Sequence, residues 1–81
     1  MEERRHSGRT PVFKATQLLS AGSHKVIGCT VRDISAGGAC LELDHPEQVP
    51  QLLDLSFDSF RSFRQCDVRW RSASRVGVAF R

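Results

Sequence analysis

The chain of 81 residues has no C-x-x-C pair and no apolar run long enough to span a bilayer. Each lack removes a class of function. Its three cysteines, Cys29, Cys40 and Cys66, are odd in number and scattered. They sit in apolar alternating runs and read as buried thiols in a reducing compartment, not as a disulfide framework. His6, His24 and His45 show no metal-ligand spacing with each other or with the cysteines. No metal site and no cofactor is therefore expected. The N-terminus lacks the apolar core of a signal peptide, so a cytoplasmic location without membrane association is expected. Lysine is scarce as well. Of twelve basic residues only Lys14 and Lys25 are lysine, and the rest are arginine.

What is present fits one small domain spanning residues 1–81. Such a chain buries only about 60–65% of the surface it exposes when unfolded, so its core is thin. A deep catalytic pocket is not expected. Ser35 has no histidine placed near it by motif, and no carboxylate pair stands out, so the chain reads as a non-enzyme. A net charge of +3 and a pI near 9.1 permit an anionic partner without requiring nucleic acid. The arginine bias says more. A guanidinium is a planar fork of donors that matches phosphate and the acceptor edge of guanine.

Residues 1–11 are polar and read as a flexible arm leading into a barrel at 12–81. They have no apolar face with which a helix could dock. From Val12 the dominant period is two, the period of a half-buried strand. Val12–Leu19 is the first predicted strand, with Phe13 and Ala15 on one side and Lys14 and Thr16 on the other. Ser20–Ser23 is a hairpin loop by composition. Lys25–Arg32 is the second strand, with Ile27, Cys29 and Val31 on one face. Asp33–Gly38 is a turn. Ala39–Leu43 is the third strand, and 44–50, with two prolines, is a loop. Leu53, Leu55 and Phe57 mark the fourth. In the fifth, Cys66, Val68 and Trp70 point one way and Asp67, Arg69 and Arg71 the other. Val76, Val78 and Phe80 mark the sixth. Six short one-sided strands predict an all-β fold, a six-stranded antiparallel barrel whose closure removes two exposed edges.

Two segments are not needed to build a barrel. The first holds Arg4, Arg5 and Arg9 in a stretch with almost nothing to fold. Exposed ion pairs contribute little, whereas the same groups facing a phosphodiester or a guanine edge make bidentate charge-assisted bonds. The second is Asp33-Ile34-Ser35-Ala36-Gly37-Gly38. Asp33 can accept from a guanine N1–H and amino group, Ser35 offers a hydroxyl, and glycine lets the backbone approach a ligand. Each segment also has a plain alternative: a solvated tail, and a turn whose Asp and Ser satisfy backbone N–H groups.

Arg5-x-x-x-Arg9 followed, after one hairpin, by Asp33-x-Ser35-x-x-Gly38 resembles the paired signature of PilZ domains, bacterial receptors for the second messenger cyclic di-GMP. The strands at Val68-Arg69-Trp70-Arg71 and Val76–Phe80 are similar to the family's last two, so the resemblance covers the whole chain. It implies a barrel with the ligand held on its outside. It implies that Arg5 and Arg9 grip the phosphates and guanine faces. Asp33 and Ser35 would hydrogen-bond a guanine, with Gly38 leaving room beside it. Arg4, just before the first motif arginine, implies two ligand molecules per chain. Many members continue into a C-terminal helix, which this sequence lacks after Arg81. An end covered by a partner, or a homodimer, is expected in its place.

The expected mechanism is an arm that orders on the ligand and then signals to an effector protein. Trp70 is expected in the core, with base stacking as its alternative. Arg69, Arg71 and Arg75 either extend the basic surface or form the solvent face of a strand. Two other functions compete: a small basic barrel binding single-stranded nucleic acid, and a protein-interaction module that binds no nucleotide. The first needs exposed aromatic platforms, and most of the six aromatics fall in the inward register, with Phe60 and Phe63 in a turn region as the residues to watch.

Overall fold

The computed structural model describes residues 10–20 and 25–81. Six antiparallel strands run in the order β1 (Thr10–Ser20), β2 (Val26–Ile34), β3 (Gly38–Glu42), β4 (Leu52–Ser56), β5 (Arg64–Arg71) and β6 (Arg75–Phe80). They close as β1-β2-β3-β6-β5-β4, with β4 pairing back onto β1. The expected barrel is therefore the observed one, and every strand has a neighbour on both sides. Among the described residues the only helical segment is a single 3₁₀ turn at Pro46–Gln48.

The interior is filled by branched aliphatic and small side chains. Leu18, Val31, Leu41, Leu53, Leu55, Cys66 and Val76 are fully buried. These are the alternate residues of their strands, so the period of two read from the sequence is the period of the core. No aromatic ring is among the buried core residues. Six strands enclose a narrow barrel, and its axis suits Leu and Val better than large rings.

Differences from the sequence reading cluster at strand ends and bulges. Thr10 and Pro11, placed in the arm, already pair with Ile34 and Asp33. Asp33 and Ile34, placed in the turn, are the last residues of β2. Phe13 does not share a strand face with Ala15 in regular alternation. It sits at a register shift between Pro11 and Lys14, has a φ of 54°, and is exposed beneath the Arg32 guanidinium at 4.7 Å. The core side of β1 is carried by Thr16 and Leu18. Phe57 falls just past β4 and is half-buried, packed edge-on against Phe80.

The cysteines form no disulfide and are buried, as expected. Burial pushes the Cys29 thiol up to about 12 and the Cys66 thiol up to about 11, from 9.0 when exposed. The folded-state value thus exceeds the unfolded one. Between those values the unfolded chain gives up protons that the native chain keeps. Stability is unaffected below about pH 9 and falls as pH rises through the window to about 11–12. Denaturant melts at about pH 8 and about pH 10.5 check this, with a loss expected only at the higher value. Equal midpoints at the two values would contradict the burial.

Candidate functional site

Two register shifts decide what the outside of the barrel presents. By alternation after Cys29 and Val31, Asp33 belongs inside. Instead Val31 pairs with Leu41 and Asp33 pairs with the next residue of β3, Cys40. Arg32 is the extra residue of this bulge. A bulge places two residues opposite one and turns the residues beyond it to the other face. The same device recurs on β5. Val68 pairs with Val78 and Trp70 with Gly77, leaving Arg69 as the extra residue. Trp70 therefore leaves the inward register of Cys66 and Val68 and is 47% exposed. The expectation of a core tryptophan is wrong for this reason.

The two displaced residues meet on one surface. Asp33 pairs with Cys40, Cys40 with Gly77, and Gly77 with Trp70. Asp33 and Trp70 are thus the ends of one cross-strand row, three strand spacings apart, or roughly 14 Å along the surface. The five-membered part of the Trp70 indole lies directly on Gly77, where any added Cβ would overlap it. One ring face is packed on glycine and the side chain is otherwise half open, which makes a stacking platform.

The motif turn borders this platform. The Ser35 N–H donates to the Gly38 carbonyl at 2.8 Å, and the Ser35 hydroxyl reaches the same oxygen at 3.4 Å. The Phe80 N–H donates to the Gly37 carbonyl at 2.8 Å, which ties the turn to β6. Neither glycine has a positive φ, so the turn does not use them for left-handed backbone. Gly38 is required for another reason. It is buried, and a Cβ there would overlap the backbone carbonyl of Val78. Gly37 is exposed with open space around it. A depression of about 200 Å³ lies between Ser35, Gly37, Arg69 and Trp70. The structure thus brings Asp33, Ser35 and Gly38 together, and adds Trp70 and Arg69.

Arg4, Arg5 and Arg9 lie outside the described residues. The residue after Arg9 is described: Thr10 pairs with Ile34, between Asp33 and Ser35. The covalent chain therefore leads the arginine segment into the barrel beside the second motif. Arg71 has a different task from its neighbours. It donates to the carbonyls of Pro46 and Val49 at 2.7 and 2.5 Å and fastens the 3₁₀ turn to β5.

The six aromatics do not mostly face inward. Phe13, Phe60, Phe63 and Trp70 are exposed, and Phe57 and Phe80 are half-buried. They are spread over β1, the β4–β5 loop, β5 and β6. Two open grooves of about 620 and 630 Å³ are larger than the motif depression. The first carries Glu42 and Asp44 on its wall and is a poor anion site. The second lies beside Lys14 and Arg61 and contains no motif residue. Among the described residues no group of three or more potential ligands could hold a metal ion, and no helix is long and apolar enough to cross a membrane.

A family model described as the PilZ domain matches residues 3–81. No curated protein sequence matches the chain significantly. Among solved structures, the fold is similar to the PlzA protein of Borreliella burgdorferi, crystallised in complex with c-di-GMP. The TM-score is 0.69 at 16% identity, over 99% of this chain and 33% of that one. At that identity the likeness is one of fold, and the chain spans about a third of that protein's length.

Proposed function

The chain belongs to the PilZ domain family, and on that footing we propose that it is a receptor for cyclic di-GMP that signals to a partner protein. The observation that carries the reading is the row from Asp33 to Trp70, a half-buried carboxylate and a half-exposed ring that two bulges take out of the inward register.

In this reading the carboxylate of Asp33 accepts from the N1–H and amino group of one guanine. It offers no donor, so it disfavours the acceptor-rich O6/N7 edge and fixes how the base lies. The Ser35 hydroxyl, which makes a long 3.4 Å contact to the Gly38 carbonyl, turns to the same base. Arg5 and Arg9 meet the phosphates and the O6/N7 edge bidentately. The open side of Trp70 receives a base by stacking, worth about 1–3 kcal/mol. Arg69 adds positive charge at the rim. Arg4 is the residue that would engage a second ligand molecule.

The arm supplies the signal. Fixing a backbone residue costs on the order of 1–2 kcal/mol, and hydrogen bonds to charged groups return about 1.5–3 kcal/mol each. Arg5 and Arg9 are thus the residues that make ordering of the arm worthwhile, and the ordered arm is the surface a partner reads.

Calorimetry with cyclic di-GMP, GMP and a short oligonucleotide tests the reading. Saturable heat from the cyclic dinucleotide alone is expected, and a stoichiometry of two supports the role of Arg4. A preference for the oligonucleotide with a steep salt dependence would replace this reading with nucleic-acid binding. No heat from any of the three would leave a protein-interaction module. In the bound state, backbone order parameters for residues 1–9 are expected to rise. If they stay low at saturation, the arm is not the signal.

A further inference from the structure

We infer that the β4–β5 loop, residues 57–63, and the groove beside it form a docking surface for an acidic, aliphatic-rich segment of a partner protein.

The loop is held in one shape. The Asp58 carboxylate accepts from the Ser56 hydroxyl at 3.1 Å, the Ser62 N–H at 2.9 Å and the Ser62 hydroxyl at 2.6 Å. The Phe60 N–H donates to the Ser56 hydroxyl oxygen at 2.8 Å, and Ser56 is itself fully buried at the end of β4. This network holds Ser59 and Phe60 at φ of 59° and 70°. A left-handed conformation is unfavourable for a bulky residue such as phenylalanine, and such strain persists only where the surroundings enforce it.

What the shape achieves is the display of two rings. Phe60 and Phe63 are 43% and 46% exposed, with centroids 6.0 Å apart. Arg61 lies between them in sequence, and Arg64 is the next residue after Phe63. Arg61 also walls the groove of about 630 Å³ that runs between the loop and β1, with Lys14 on the same groove. Aromatic residues, phenylalanine among them, and arginine are enriched at protein interfaces.

Charge selects the occupant. Asp58 is the loop's one carboxylate, and hydrogen bonds within the loop occupy it, those from Ser62 first, which hold its pKa low. Lys14 donates once to the Phe57 carbonyl at 2.9 Å and Arg64 lies over the Phe80 ring, and neither contact cancels its charge. With Arg61 they keep the surface positive, and an acidic partner matches it. A second copy using the same surface would bring like charges together across a two-fold axis. The groove of about 630 Å³ beside the loop is concave and takes a chain segment, not a flat membrane face. The two rings are inclined at 44° and form no parallel-walled slot for a base.

The surface adjoins the motif turn. The Phe80 ring packs edge-on against Phe57 and lies 4.3 Å beneath the Arg64 guanidinium, so both ends of the loop rest on it. The same residue's N–H is bound by the Gly37 carbonyl.

A random-peptide library on phage, selected against the full chain without nucleotide, tests the inference independently of ligand binding. Enrichment of acidic peptides bearing Leu, Ile or Val is expected, with NMR shift changes confined to 57–64 and the groove. Affinity for those peptides is expected to fall about tenfold or more in Phe60→Ala/Phe63→Ala and in Arg61→Glu. All three positions are exposed, and unchanged amide spectra of the core strands check that the variants fold. Selected peptides that are basic, or whose binding ignores these substitutions, would overturn it. So would an empty selection, or loop-dependent binding of phosphatidylserine vesicles or oligothymidylate instead.

Discussion

Gly38→Ala is expected to cost about 3 kcal/mol of stability, while Gly37→Ala changes it by about 0.5 kcal/mol or less. The two glycines are adjacent and share one motif, so composition does not separate them. Geometry does. A Cβ at Gly38 collides with the main chain of Val78 and Ala79, and a main chain cannot rotate away. Relief requires β3 and β6 to part at the pair Gly38 and Ala79, next to the Phe80 bond that ties down the turn. At Gly37 the same atom meets nothing. Denaturant unfolding of both variants checks this. If Gly38→Ala melts with the parent, the strand contact is not what requires glycine there, and room for a ligand becomes the better reason.

The second large effect is on affinity. Arg9→Ala and Asp33→Ala are each expected to weaken cyclic di-GMP binding about a hundredfold or more. Removing one partner of a desolvated charged contact costs about 2–5 kcal/mol, and each 1.4 kcal/mol is about tenfold. Asp33→Asn is nearly as harmful in this account, because its amide group would point a donor at the guanine donors. Trp70→Ala loses one stacking contact, and about tenfold is expected. Calorimetry on the four variants gives the order. A Trp70→Ala loss equal to that of Asp33→Ala would mean that the base is held mainly by its face and not its edge.

The barrel was legible because every strand keeps a stretch with a period of two, even where a bulge interrupts β1, β2 or β5, and closure comes from the need to cover six one-sided strands. The motif turn was legible through Asp33, Ser35 and Gly38. The surface it belongs to was not. The run Cys66, Val68, Trp70 alternates without a break, and nothing within it marks Arg69 as an extra residue. The available signal was on the partner strand. Gly77 sits between Val76 and Val78, and a glycine within a strand often marks a bulge or a close approach. Phe13 was misjudged for the same reason, since a bulge in β1 interrupts its alternation. The loop at Phe60 and Phe63 owes its form to hydrogen bonds that Asp58 accepts from Ser56 and Ser62, which a pattern of apolar residues does not record.

The central claim is that the ligand lies across the row from Asp33 to Trp70. The chain has one tryptophan and no tyrosine, so its intrinsic fluorescence reports on that row alone. A titration with cyclic di-GMP is predicted to change Trp70 emission saturably, at the midpoint found by calorimetry, and to lose that response in Asp33→Ala at the same ligand concentrations. Calorimetric binding that leaves the emission unchanged would contradict the account, because the ligand would then lie elsewhere on the barrel.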